Sequence, residues 1–398
     1  MPRFLTADEA AEELGVTKNT LYAYVSRGLV RSEPADTNRR TRRYRADDVR
    51  RLKRRAEHRR DPATAAQTAL DWGLPVTESA LTLIDEGRFY YRGQDACRLA
   101  RTEPLEAVAP LLWDVAPDRI DLHAADPPVP PSADAPEEAT LDRMQRLLPR
   151  AASRDDRAYD QSRRGLARTG VRLLAMLTRL VEPPSSPFAT GSLAERLAVA
   201  WGVAPDGAPS LLNAALVLCA DHGLNVTAFT VRCVASAEAT PYGAANAGLS
   251  ALRGRRHTGN TARIDALLRE AGSPDAFRDT VARRLRRGDT VPGFGHPLYP
   301  DGDPRAELLV ERLQAVVPNA TGTAYATAAM EVGPDLLDRP PALDFALVAL
   351  SRALKLPPDG PLTLFALGRT VGWVGHMMEQ YDEATVIRPR AQYVGPPP

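Results

Sequence analysis

The chain has 398 residues with 51 Lys and Arg against 50 Asp and Glu, a net charge of +1, and is 44% hydrophobic and 25% charged, the proportions of an ordinary globular protein long enough for several domains. Its three cysteines, Cys97, Cys219 and Cys233, are odd in number and far apart, which argues against a disulfide framework and predicts a reducing cytoplasm. The opening residues lack a signal-like apolar stretch and no later run reaches about 18 apolar residues, so neither export nor membrane insertion is expected.

Charge is unevenly distributed. Residues 1–60 hold 16 basic against 9 acidic side chains, a charge of +7, leaving −6 on the rest of the chain. Within this basic segment, residues 8–14 read as a short helix with Ala10, Ala11 and Leu14 on one face, ended by Gly15. Thr17 is a suitable N-cap for a second helix over residues 18–27, where Leu21, Tyr22 and Val25 recur at helical spacing. Helix, glycine turn and helix make a helix-turn-helix. Residues 39–45 (RRTRRYR) predict a basic β-wing, and residues 47–60 a very basic third helix. This order resembles the winged helix-turn-helix of MerR-type regulators. The resemblance implies a second helix presenting Lys18, Asn19, Tyr22 and Arg27 to the major groove, with Arg39, Arg40, Arg42 and Arg43 meeting phosphates. A solvated basic surface on an assembly or vestigial domain is the bland alternative.

A charged connector follows, with the linker placed at residues 61–74. Proline-rich breaks lie at 126–138 (DPPVPPSADAPEE) and 183–187. Helical patterns cover residues 192–199, 210–220, 226–237, 262–271, 276–287, 304–316, 342–354 and 362–380, whereas strand patterning appears only near residues 81–91. The expected body is mainly α.

Three of the six histidines mark the most informative segments. Ala220-Asp221-His222-Gly223-Leu224-Asn225 comes first, then His257, then Gly293-Phe294-Gly295-His296 followed by Asp303-Pro304-Arg305. Glycine permits tight backbone turns around a ligand, and histidine is the side chain best able to exchange a proton near neutral pH. Further blocks are Leu83-Ile84-Asp85 with Tyr91-Arg92-Gly93, Leu343-Asp344-Phe345, Leu364 to Trp373, and Ile387-Arg388-Pro389-Arg390. Together, over roughly residues 75–395, they resemble the citrate synthase family. The resemblance implies a two-domain helical fold with a small N-terminal β-hairpin, the large domain at 75–258 and 356–398 and the small one at 259–355. It also implies an obligate homodimer.

Joining an acetyl thioester to a 2-oxo acid needs a base for an unactivated methyl, a donor for the enol oxygen and an acid for the ketone oxygen. Cations must hold a dicarboxylate, best as arginine forks. Metal and redox cofactor are not expected. The resemblance assigns Asp344 as the base that abstracts the methyl proton of an acyl-CoA. His257 would hold the thioester carbonyl, His296 would protonate the oxaloacetate carbonyl and His222 would position it. Arg305 and Arg369 would bind its carboxylates, and Arg388 would reach the neighbouring subunit's site. Bland readings stand beside these: Asp303-Pro304-Arg305 as a helix cap with a solvated arginine, His222 as a satisfied core histidine, and His376 as structural. Gly254-Arg255-Arg256-His257-Thr258-Gly259-Asn260 departs from the family pattern, with asparagine one place early, and Pro297 follows His296 where a basic or small residue is common. The leading expectation is condensation of acetyl-CoA with oxaloacetate. The alternatives are 2-methylcitrate synthesis from propionyl-CoA, and a metabolite sensor that alters DNA binding.

Overall fold

Capping chemistry lays out the first unit of the computed structural model, residues 1–78. The structure describes residues 4–27, 29–35, 38–46, 48, 49, 52, 77–117, 138–182, 191–203, 206–254, 259–383, 385–391 and 393–396. After a two-residue strand β1 (Phe4–Leu5), Thr6 and Glu9 form a reciprocal capping box that starts α1 (Ala7–Leu14), and Gly15 closes it in the left-handed region. Thr17 caps α2 (Lys18–Ser26) by accepting from the Thr20 amide, an interaction of a kind that contributes about 1 kcal/mol. β2 (Ser32–Ala35) and β3 (Asn38–Arg45) pair antiparallel, and β1 adds to the other edge of β3. Leu5, Ala10, Ala11, Leu21, Val30, Tyr44 and Val49 form the small core. Helix, turn, helix and wing therefore stand where the sequence places them. The third helix is described only at residues 46, 48, 49 and 52.

The second unit spans residues 79–398. It opens on an antiparallel meander, β4 (Thr82–Asp85), β5 (Arg88–Tyr91) and β6 (Gln94–Asp95). Helices follow: α3 (Ala96–Thr102), α4 (Leu105–Trp113), α5 (Thr140–Ala152), α6 (Arg163–Arg179), α7 (Leu193–Ala200), α8 (Ala208–Cys219), α9 (Val226–Ala235) and α10 (Pro241–Leu252). Then come α11 (Gly259–Ala271), α12 (Phe277–Arg287), α13 (Pro304–Val316), α14 (Thr321–Val332), α15 (Leu343–Leu354) and α16 (Gly360–Glu383).

Six of these helices, α3, α4, α5, α6, α10 and α14, are absent from the helical patterns read in the sequence. α10 (PYGAANAGLSAL) and α14 (TGTAYATAAMEV) are built from Gly, Ala and Thr with few large apolar residues. Their helicity comes from packing against α9 and α15 rather than from an apolar stripe.

Two cores result. The larger is organised around α8, whose residues from Leu211 to Cys219 are nearly all buried, with α16 packed alongside. The smaller joins Ile264, Leu267 and Leu268 of α11 to Phe277, Val281, Tyr325, Phe345 and Val348. α15 serves both, with Ala346, Leu347 and Leu350 in the first and Phe345 and Val348 in the second. Among the described residues, no helix is long and apolar enough to cross a membrane.

Candidate active site

α16 fixes one wall of the site by approaching the C-terminal end of α8 without intervening side chains. A Cβ at Gly372 would collide with the Ala220 carbonyl oxygen, which instead accepts from the Gly372 amide at 3.0 Å. That close crossing sets Arg369, one turn earlier, beneath α8. Its Nε donates 2.8 Å to the Cys219 carbonyl, one of the oxygens a helix end leaves without an internal partner. Arg369 is buried, and its Nη1 has no hydrogen-bond partner among the described residues. Burial pushes its pKa down, with Asp221 opposing.

The loop after α8 carries His222. Asp221 anchors it from beneath. Its carboxylate accepts from Thr82 Oγ1 at 2.6 Å and from the Gly223 amide at 3.1 Å, and lies 3.1 Å from His376 Nε2. Tyr91 of β5 donates to the Val217 and Asp221 carbonyls. Burial alone would raise the Asp221 carboxyl, but His376, Arg369 and Thr82 together hold it below the usual range. His376 is thus a fully buried partner of that carboxylate, in keeping with a structural role.

His222, Tyr299 and His296 form one cluster. His222 Nε2 shares a 2.8 Å hydrogen bond with the Tyr299 hydroxyl, and the two imidazoles meet edge to face at 5.2 Å between centroids. Phe89 packs on the other side of His222 at 6.2 Å. Gly295, with φ +76°, allows the turn that brings His296 inward. Burial, then Arg305, depresses both rings, His296 to about 4 and His222 well below its ordinary value, so both are neutral at pH 7. The Leu298 amide donates to His296 Nδ1 at 3.2 Å, so the proton of the neutral ring resides on Nε2. His296 is therefore a hydrogen-bond donor through Nε2.

Asp303 caps α13 and grips Arg305 in the same move. Oδ1 accepts from the Arg305 amide and Nε at 3.1 and 2.9 Å, and Oδ2 from Nη2 at 2.8 Å. Oδ2 also accepts from the Leu343 amide at 3.0 Å, tying the first turn of α15 to this pair. Arg305 is only 4% exposed. A solvated arginine beyond a helix cap is thereby ruled out, yet two of its nitrogens are committed to Asp303 rather than open as a fork.

Asp344 occupies the next position of α15. It is half-buried, and Asn260 Nδ2 donates to its Oδ2 at 2.9 Å. Burial raises its carboxyl above the ordinary value, partly offset by the Asn260 bond and by Arg305 and Arg369. Asn260, the asparagine displaced by one place in the sequence, stands in the first turn of α11 and steadies this carboxyl.

Of the residues singled out in the sequence, His222, His296, Asp344, Arg305 and Arg369 converge here, coupled through space. His257 lies outside the described residues. Arg388 is exposed beyond α16 and makes no hydrogen bond or ion pair to this cluster among the described residues. Sequence reasoning gave no role to Tyr299 or Thr82, and Asp221 stood in the His222 segment without one. Only the closeness of Tyr299 to His296 and of Asp221 to His222 could have signalled them.

In the first unit, Lys18, Asn19 and Tyr22 share the exposed face of α2, Tyr22 being 49% exposed. Lys18 Nζ is paired with Asp8 at 2.6 Å. Arg42 lies along the sheet, with Nε 2.9 Å from Ser32 Oγ, while Arg43 pairs loosely with Glu33 at 3.7 Å and covers the Phe4 ring at 4.5 Å. The side chains of Arg39 and Arg40 lie outside the described residues.

Two neutral imidazoles, a carboxyl raised by burial and two buried guanidinium groups, coupled electrostatically, define a mainly helical protein with a site suited to proton transfer on an anionic molecule. Residues 69–390 match the family described as citrate synthase, C-terminal domain, and the chain belongs to that family. Residues 5–57 match the MerR HTH family of regulatory proteins. The chain is 28% identical over 353 residues to citrate synthase 2 of Bacillus subtilis, covering 81% of this chain and 95% of that protein. It is 27% identical over 239 residues to 2-methylcitrate synthase of Mycobacterium tuberculosis, covering 56% of this chain and 61% of that protein. The crystal structure of citrate synthase from Thermotoga maritima has the same fold, with TM-score 0.67 and 24% identity over 81% of this chain and 94% of that one. So does the citrate synthase of Thermoplasma acidophilum in complex with carboxymethyl coenzyme A and oxaloacetate, with TM-score 0.68 and 22% identity over 82% of this chain and 95% of that one.

Proposed function

We propose that the second unit condenses acetyl-CoA with oxaloacetate to give citrate and CoA. The observation that carries this reading is the pairing of a base and its target site. Asp344, the carboxyl that burial makes more basic, feels Arg305 and Arg369, His296 is a neutral donor through Nε2, and Nη1 of Arg369 is buried with no partner among the described residues. A carboxylate of oxaloacetate would satisfy that nitrogen, and Arg305, held rigid by Asp303, would supply the second positive charge.

In this reading Asp344 takes the methyl proton of the thioester. His257 holds the thioester carbonyl as its enol forms. The enol carbon then attacks the keto carbon of oxaloacetate, whose oxygen receives the Nε2 proton of His296. His222, steadied by Tyr299, positions the oxo acid. Hydrolysis of the resulting thioester releases CoA. The smaller core around α11, α12 and α14 belongs to a small domain at residues 259–355, and Arg388 completes the site of a second copy in a homodimer. Such an enzyme would feed a cytoplasmic tricarboxylic acid cycle without metal or redox cofactor.

Two further readings have support. The 2-methylcitrate synthase relative supports propionyl-CoA as the acyl donor, a difference of one methylene worth about 1–3 kcal/mol in a fitted pocket. The MerR-type match and the exposed α2 face support binding of DNA by the first unit, with the second unit as its metabolite sensor. Thiol release by the purified chain, with oxaloacetate and a panel of acyl-CoAs, separates these. Release that depends on both substrates is expected, and its rate order names the acyl group. No release with any acyl-CoA overturns the enzymatic reading.

A further inference from the structure

A buried charged network that the chemistry above leaves unused lies between α9 and α16. Arg232 has no exposed side-chain surface. Its Nε donates to Gln380 Oε1 at 3.0 Å, Nη1 to Glu379 Oε2 at 3.0 Å and Nη2 to Glu383 Oε1 at 2.6 Å. Burying a guanidinium this completely is costly, and replacing such a group by apolar side chains is often neutral or stabilising. A packing role alone leaves the charge without a reason.

The network's outer edge holds the C-terminal tail. Gln380, fixed by Arg232 through its oxygen, donates through Nε2 to the Thr385 carbonyl at 3.2 Å. Ser236, one residue past the end of α9, accepts the Ile387 amide at 3.1 Å. The two bonds grip the backbone on either side of Val386, and the next residue after Ile387 is Arg388, which is exposed. Residues 385–387 have no regular secondary structure of their own, so these bonds decide where Arg388 leaves the body.

We propose that Arg232, Gln380 and Ser236 are positioning residues that launch Arg388 toward the active site of a second copy of this chain. The idea rests on the reading of Arg388 as a carboxylate-binding arginine supplied in trans. An arginine contributes to binding in proportion to how little freedom it loses on contact, and a tail anchored one residue away has already lost most of its backbone freedom.

Gln380→Met keeps the length of the side chain and removes both of its bonds, and Ser236→Ala removes one acceptor at little structural cost. Each lost bond corresponds to about a 3- to 10-fold rise in KM for oxaloacetate, with kcat and the KM for acyl-CoA little changed. The same substitutions in an Arg388→Ala background should add nothing, because there is no arginine left to aim. Equal increments with and without Arg388, or an unchanged oxaloacetate KM in both variants while Arg388→Ala raises it, would overturn the positioning role. An Arg388→Ala enzyme with the wild-type oxaloacetate KM would instead refute the trans-arginine reading and the anchor with it. Sedimentation of each variant checks that the assembly is unchanged.

Discussion

Replacing Asp303 by Asn alters one atom and a charge at the junction of α13 and α15. In the native site Oδ1 serves two donors of Arg305, and Oδ2 serves Arg305 Nη2 and the Leu343 amide. An asparagine carbonyl can take over one of these faces. Its NH2 group must then point at two donors on the other face, so both lose their acceptor, and the buried Arg305 loses its counter-charge. Breaking a buried pair from one side costs about 3–5 kcal/mol. Urea unfolding of the full chain should show a lower midpoint with an unchanged slope. The double variant Asp303→Asn with Arg305→Met removes the stranded charge and should recover most of the loss, a coupling that a double-mutant cycle reads directly. A loss below about 1 kcal/mol for Asp303→Asn, or a double variant as unstable as the sum of the singles, would refute the claim that Asp303 serves to hold Arg305.

Asp344→Asn should stabilise the fold at pH 7 by about 0.5–2 kcal/mol, because a functional carboxyl is held in an unfavourable place. Burial raises the Asp344 carboxyl in the folded state, so its contribution is fully present below the unfolded value of 3.8 and is lost as pH rises through the folded one. The advantage of Asn should accordingly shrink as the pH is lowered toward 4, and equal stability of the two proteins at pH 7 would contradict this. Arg305→Ala and Arg369→Ala should each weaken oxaloacetate binding by about 10- to 100-fold in calorimetry; wild-type affinity in both would remove them from the site. Neutralising Arg39, Arg40, Arg42 and Arg43 should weaken DNA binding to all sequences and flatten its salt dependence by about one unit per lost phosphate contact. Changes at Lys18, Asn19 or Tyr22 should disturb sequence choice instead, and binding that is sequence-blind and absent at physiological salt would leave the first unit without a regulatory role.

Local chemistry was readable in the sequence wherever a few neighbouring residues decide the structure. Gly15 and Thr17 end α1 and start α2 as expected, and Asp303 with Pro304 starts α13 where expected, whereas the Thr6 cap of α1 emerges only in the structure. Glycine beside histidine drew attention to the segments of His222 and His296, although Gly375-His376 carries the same pairing at a buried position against Asp221. α5 carries a local apolar stripe, Leu141, Met144, Leu147, Leu148 and Ala151, that periodicity alone could have found, whereas the rest of what escaped depends on contacts far apart in sequence. α10 and α14 carry few large apolar residues and become helical against partners that no short pattern reveals. The bond from Thr82 to Asp221 spans 139 positions, and the bond from Asn260 to Asp344 spans 84. Arg305 shows the same limit differently: its presence at the site was expected, but its bidentate commitment to Asp303 is a matter of three-dimensional geometry.

The most direct measurement compares wild-type chain and Asp344→Asn for thiol release with oxaloacetate and acetyl-CoA, alongside calorimetric titration of each with oxaloacetate. If Asp344 is the base of a condensing enzyme, turnover should fall by at least about 100-fold while oxaloacetate affinity, which rests on Arg305 and Arg369, stays close to wild type. Comparable thiol release by the two proteins would show that the base, or the reaction itself, has been misassigned.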